Sequence, residues 1–255
     1  MDRDEKKPLM SHLVELRKRL ITSAVVVGVC FAVTYAFSEK LFEILAYPLK
    51  ANLPEGDRLI YTNLPEMFFV YIKTGLVAAV LLAAPFIFYQ VWVFVAPGLY
   101  RKEKRYLLPF VFFSTLLFVG GALFGYFIVF PFGFRFFLGF SNEYIQALPS
   151  VKQYFSLSIK LLLGFGIIFE LPVVAFFLSR IGILTADLMR RQRKYAILLI
   201  FVVAAILTPP DVITQLMMAG PLVLLYEVSV IIVKVTGKKK KVSEEADEVD
   251  DEKPA

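Results

Sequence analysis

Two isolated carboxylates offer the first chemistry. Glu15 lies in Ser11-His12-Leu13-Val14-Glu15-Leu16-Arg17-Lys18-Arg19-Leu20, and Glu103 in Leu99-Tyr100-Arg101-Lys102-Glu103-Lys104-Arg105. Each stands among cations. The plain reading is internal pairing: Lys18 and Arg19 sit at i+3 and i+4 from Glu15, an exposed helical pair worth only ~0.2–1 kcal/mol. The alternative is a ligand. Two carboxylates meeting at a water–lipid boundary suit a pair of guanidinium groups, each held bidentate. Outside the extreme N-terminus and the acidic tail, the one other acid on this basic side is Asp187. It follows Thr185-Ala186 and reads as a helix start, near the positive end of the dipole.

A second set of polar residues lies inside apolar runs. Glu170, two residues before Pro172, falls about 15 Å along a helix from Arg180, near mid-membrane. An acid there costs several kcal/mol unless it is paired, hydrated or protonated. It reads either as a polar notch for a partner's polar group or for water, or as a protonated structural acid. Asp211 follows Pro209-Pro210 and reads equally as a helix cap or a functional group. Gln215 and Glu227 lie in the run after it, and Glu227 can snorkel to the interface. The inventory argues against an intramembrane hydrolase. There is one histidine, His12, and one cysteine, Cys30, with no intramembrane aspartate pair and no glycine loop for phosphate. A metal cluster or a disulfide within the chain is not expected.

The elements that position these residues are membrane spans. The chain is 58% hydrophobic with mean hydropathy +0.68, too apolar for a soluble domain. Its cations separate apolar runs instead of forming one patch, so its charge of +6 is no nucleic-acid signal. An all-α membrane protein of six spans is expected, at 20–37, 67–95, 107–130, 154–178, 195–207 and 212–233. The first run is long and lacks a small-residue cleavage site, so it reads as a retained span. Leu13, Leu16 and Leu20 recur at helical spacing, predicting a surface helix that then turns into the membrane. Pro48 should stop a short surface helix at 41–45, Pro85 should kink the second span, and Pro131 should end the third. Residues 54–57 read as a turn. Gly121 and Gly125, four apart, could admit a neighbouring helix closely. Residues 1–10 form a polar segment, 11–235 the membrane domain, and 236–255 a charged, disordered tail.

The positive-inside rule sets the orientation. The N-terminal segment, the 101–105 loop, the 180–194 loop and the tail carry 6, 4, 5 and 6 of the 28 lysines and arginines. With six spans these lie on one side, which makes both termini cytoplasmic. Spans five and six read as short. The fifth has 13 residues between Tyr195 and Leu207, roughly 20 Å against a core of ~30 Å, and Gly220-Pro221 interrupts the sixth. Either the bilayer is thinned at this corner or flanking residues carry the helices into the headgroups. No internal repeat is evident. That counts against a secondary transporter of inverted repeats with Glu170 and Glu227 as its proton path.

Several motifs together resemble the TatC family, the core membrane subunit of the twin-arginine protein translocase. They are Ser11-His12-Leu13-Val14-Glu15-Leu16-Arg17-Lys18-Arg19; Tyr89-Gln90-Val91-Trp92 with Phe94 and Ala96-Pro97-Gly98-Leu99-Tyr100 before Glu103; Phe169-Glu170-Leu171-Pro172; and Leu207-Thr208-Pro209-Pro210-Asp211. The likeness runs in order from Ser11 to Val235. It implies a receptor and scaffold without catalysis that binds signal peptides with two adjacent arginines and helps export folded proteins. By that resemblance Glu15 and Glu103 receive the arginine pair, and His12, Arg17, Arg19, Phe94 and Leu99 shape the site. Glu170 would line a polar notch in a concave, glove-shaped bundle where small single-span subunits of TatA and TatB type dock. Asp211 and Gln215 would serve the thin corner and its partner contacts. The resemblance further implies the cytoplasmic (inner) membrane, a homo-oligomer among lipid, no cofactor and no nucleic acid. Transport would draw on the proton-motive force, ~2.3 kcal/mol per charge per 100 mV.

Overall fold

A computed structural model describes residues 9–54, 58–95, 107–141, 147–208 and 211–237. Leu99, Glu103, the basic loop around them, Pro209-Pro210, most of the 54–57 turn and most of the terminal segments lie outside the described residues. The described residues are helical apart from loops and one isolated bridge. The helices are α1 (Leu9–Ala36), α2 (Ser38–Lys50), α3 (Glu66–Val95), α4 (Leu107–Phe124), α5 (Phe130–Leu138), α6 (Val151–Phe169), α7 (Leu171–Arg180), α8 (Ala186–Arg191), α9 (Arg193–Leu207) and α10 (Val212–Thr236).

Among the described residues, five stretches are long and apolar enough to cross a membrane: Met10–Ala36, Glu66–Val95, Leu107–Leu138, Val151–Arg180 and Val212–Thr236. α9, at 15 residues, is about 22 Å long and falls short of the ~30 Å core. The expectation for the last span needs correcting. α10 runs 25 residues through Gly220-Pro221 without a break, so only α9 is short. Pro221 withholds one N–H, and the turns on either side of it stay helical.

Two other expectations fail at the chain's prolines. α2 continues through Pro48 to Lys50. Proline leaves the carbonyl four residues back without its helical donor; here the Tyr126 hydroxyl donates to the Ile44 carbonyl at 2.6 Å. The Tyr154 hydroxyl donates to the neighbouring Leu45 carbonyl, also at 2.6 Å. The third span does not end at Pro131. Five residues in π conformation, Gly125–Val129, join α4 to α5, and the helical run carries on past Pro131 to Leu138. The Ser11–Leu20 stretch is also no separate surface helix. No proline, glycine or cap interrupts it, and α1 passes straight into the first span.

Small residues set the tightest packing. A Cβ on Gly121 would lie 2.5 Å from the Phe165 carbonyl oxygen, and one on Gly166 would lie 2.7 Å from the Phe118 ring. α4 and α6 therefore touch backbone to backbone, as the glycine spacing predicts. At the end of the bundle where α3 and α6 begin, one buried carboxylate joins two loops. Glu66 Oε1 accepts from Lys152 N at 2.8 Å and Ser150 Oγ at 3.2 Å, and Oε2 from Thr62 N at 3.2 Å and Asn63 N at 3.4 Å. Beside it Ile60 and Ser150 form a parallel bridge.

Candidate ligand-binding site

The N-terminal turns of α1 lie along the last turns of α3. His12, Glu15 and Arg19, at i, i+3 and i+7, share one face of α1; Gln90 and Phe94, at i and i+4, share one face of α3. The faces meet residue by residue. The His12 and Phe94 rings stack with centroids 4.2 Å apart and planes 22° from parallel. Arg19 donates to Glu15 Oε1 from Nη2 at 2.6 Å and from Nε at 3.2 Å, and from Nη1 to Gln90 Oε1 at 3.0 Å. The Arg19 and Glu15 side chains keep 20% and 28% of their exposure, so the pair is reachable from water yet partly desolvated. Arg17, two residues from Glu15, points away from this face and is exposed. The structure thus brings His12, Glu15, Arg19 and Phe94 together and leaves Arg17 aside. Gln90 belongs to the cluster as well. In sequence it stands in the Tyr89-Gln90-Val91-Trp92 motif, a polar side chain four residues before Phe94 that was given no role there.

A second polar group lies deeper. Glu170 occupies the joint where α6 ends and α7 begins, and its Oε1 is buried with no hydrogen-bond partner among the described residues. The Ser114 hydroxyl of α4 interacts with this carboxyl, and Ser114 Oγ accepts from Trp92 Nε1 of α3 at 3.0 Å. The Trp92 ring stacks on Phe110 at 4.7 Å. Trp92 and Gln90 are neighbours on α3 facing opposite ways, so one helix end supports both polar groups. Sequence reading missed Ser114 and Trp92 as partners, because only the fold joins them.

Asp211 and Gln215 organise the α9–α10 corner. Asp211 caps α10, Oδ1 accepting from Thr214 N at 2.7 Å while the Thr214 hydroxyl donates to Oδ2. Gln215 Nε2 donates to the Phe201 carbonyl at 3.0 Å, tying α10 to α9. Glu227 does not snorkel alone; Arg193 Nη2 holds it at 2.8 Å. No group of three or more metal-ligating side chains occurs among the described residues.

The family model for the Sec-independent protein translocase protein (TatC) matches residues 11–221. The chain belongs to the TatC family. It is 54% identical over 242 residues to the Sec-independent protein translocase protein TatC of Desulforapulum autotrophicum, covering 95% of this chain and 90% of that one. To the TatC of Helicobacter pylori it is 42% identical, covering 95% of each. It is also similar to a crystal structure of the twin arginine translocase receptor TatC, with a TM-score of 0.80, 42% identity, and coverage of 88% of this chain and 99% of that one. A second such structure, in DDM, gives 0.81 and 41%. The fold is therefore the six-span fold of TatC, with α9 as its short member, in a multi-pass membrane protein of a protein translocase family.

Proposed function

We propose that this chain is the receptor and scaffold subunit of a twin-arginine translocase, and that Glu15 with Glu103 binds the arginine pair of a signal peptide. The observation that carries the reading is the chemistry around Glu15. The carboxylate accepts two N–H bonds from a guanidinium, with Gln90 taking a third from the same group. A site that holds one guanidinium this way suits another. The internal pair foreseen from spacing and the receptor role are then compatible: capture exchanges Arg19 for a ligand arginine, and Arg19 keeps its contact with Gln90. His12 stacked on Phe94 forms an aromatic wall beside the exchange point. Phe94 lies one residue before the end of α3, and the 96–106 run with Leu99 and Glu103 follows directly in sequence.

Under this reading Glu170 is the polar contact for single-span TatA- and TatB-type subunits, supported by its unpartnered oxygen. Asp211 and Gln215 shape the short-helix corner that such subunits meet. Both termini face the cytoplasm across the inner membrane, the chain works as an oligomer, and transport draws on the proton-motive force without bond-making catalysis. The rival proton-path reading loses Glu227, which is occupied by Arg193. The test is capture of a photo-crosslinking twin-arginine peptide from positions 15 and 103, against its Lys-Lys counterpart. Strong capture of the first and weak capture of the second is expected; equal capture of both refutes the site.

A further inference from the structure

The break at Glu170 has a geometric consequence on the far side of α7. Up to Phe169, α6 lies against α4 through Gly121 and Gly166. Beyond the break α7 packs chiefly on α10 and diverges from α4. Pro172 in the first turn of α7 fixes that redirection, since it carries no N–H to continue the α6 ladder. A wedge opens between α4 and α7, floored by α10. Its volume is about 400 Å³, and Phe110, Phe113, Leu117, Pro172, Phe176 and Ile232 line it. Its walls are almost wholly apolar, yet one end is cationic. Phe110 meets Phe176 at 5.6 Å, so the first turn of α4 is level with the last turns of α7. There the Arg180 guanidinium lies 5.6 Å from the centre of the Phe176 ring.

We propose that this wedge binds an anionic phospholipid, one acyl chain lying between α4 and α7 and the phosphate resting against Arg180. Size selects the chain over a helix. At roughly 30 Å³ per methylene, about the share of a liquid water, the wedge holds ~13 methylenes. A single turn of partner helix, about 10 Å across and 5.4 Å long, would alone fill it. Charge selects the headgroup, because Arg180 stands over Phe176 at the mouth of the wedge and a cation at the membrane surface attracts anionic lipid. The site depends on the chain's membrane location and not on the receptor reading.

Native mass spectrometry of the delipidated full chain, titrated with phosphatidylglycerol and phosphatidylcholine of identical chains, tests it. Wild type should retain phosphatidylglycerol about fivefold better, the pull of one arginine on an anionic surface. Arg180→Gln should abolish that preference while a lipid of either kind still binds. Ile232→Trp and Leu117→Trp, which fill the wedge from its floor and from its α4 wall, should each abolish retention of both lipids, and short-chain phosphatidylglycerol should not compete. Equal retention of the two lipids by wild type overturns the proposal, as does unchanged retention in a folded filled variant. Loss of a co-purifying single-span protein with lipid retained would reassign the wedge to a helix and overturn it too.

Discussion

Glu15 and Arg19 should respond to neutralisation with opposite signs. In Glu15→Gln the carboxylate is lost while the side chain keeps its shape. Charge-assisted bonds to a guanidinium contribute ~1.5–3 kcal/mol each when well buried. Here the two side chains retain 20% and 28% of their exposure, and a ligand arginine gains only what it wins over Arg19. The net loss is therefore about 1–1.4 kcal/mol, or five- to tenfold in peptide affinity. In Arg19→Gln the occupant is removed. The 2.6 Å contact no longer has to be broken, and affinity should rise about fivefold, the worth of one partly exposed ion pair near 1 kcal/mol. Gln90→Leu removes the acceptor that steadies displaced Arg19, so it should weaken binding in wild type and do nothing in Arg19→Gln, a non-additive pair. Fluorescence anisotropy with a labelled twin-arginine peptide in nanodiscs reads wild type, the three single variants and the double variant. If Arg19→Gln weakens binding as Glu15→Gln does, the two are one structural unit and the exchange reasoning fails. If Glu15→Gln binds normally, the receptor assignment fails with it.

Three further outcomes follow from other parts of the fold. Glu170→Gln should leave twin-arginine peptide affinity unchanged while reducing recovery of single-span subunits on affinity purification; unchanged recovery makes the acid merely structural. Ser114→Ala strands the Trp92 N–H in an apolar surround, costing about 1–3 kcal/mol, which a lowered Tm in detergent would report; an unaltered Tm would deny the bond any weight. Gly166→Val should destabilise by about 1–3 kcal/mol or more through overpacking against Phe118, whereas Gly120→Ala, where nothing lies within 4 Å of a new Cβ, should be neutral.

The helical class and most of the span positions were legible because membrane crossing needs long apolar runs, and this chain writes them without ambiguity. Local rules failed where a distant side chain compensated. Pro48 reads as a stop, and α2 passes it because Tyr126, far along the chain, supplies the donor that the Ile44 carbonyl lacks. The same holds for the site. The i+4 spacing of Glu15 and Arg19 announces their pair, but nothing near residue 19 announces Gln90, and nothing near Glu170 announces Ser114. Asp211 was readable as a cap because a cap is a local bond. Gln215's bond to the Phe201 carbonyl depends on how the hairpin closes.

The π segment in the third span acts as a one-residue clutch. Core-facing positions along α4 fall at Phe110, Ser114, Phe118, Gly121 and Gly125, three or four apart, and then the interval lengthens to five before Phe130 and Phe134. That extra residue rotates the second half of the span by about 100° relative to an unbroken α-helix. Deleting any one residue from 125–129 would restore a regular ladder with Phe130 and Phe134 still facing the core, whereas winding the full-length segment as α-helix would swing both out toward lipid. The half of the span beside Ser114 and the half beside Tyr154 are thus indexed separately, and the loop-bearing end can be re-registered without moving the end that carries the polar chain to Glu170.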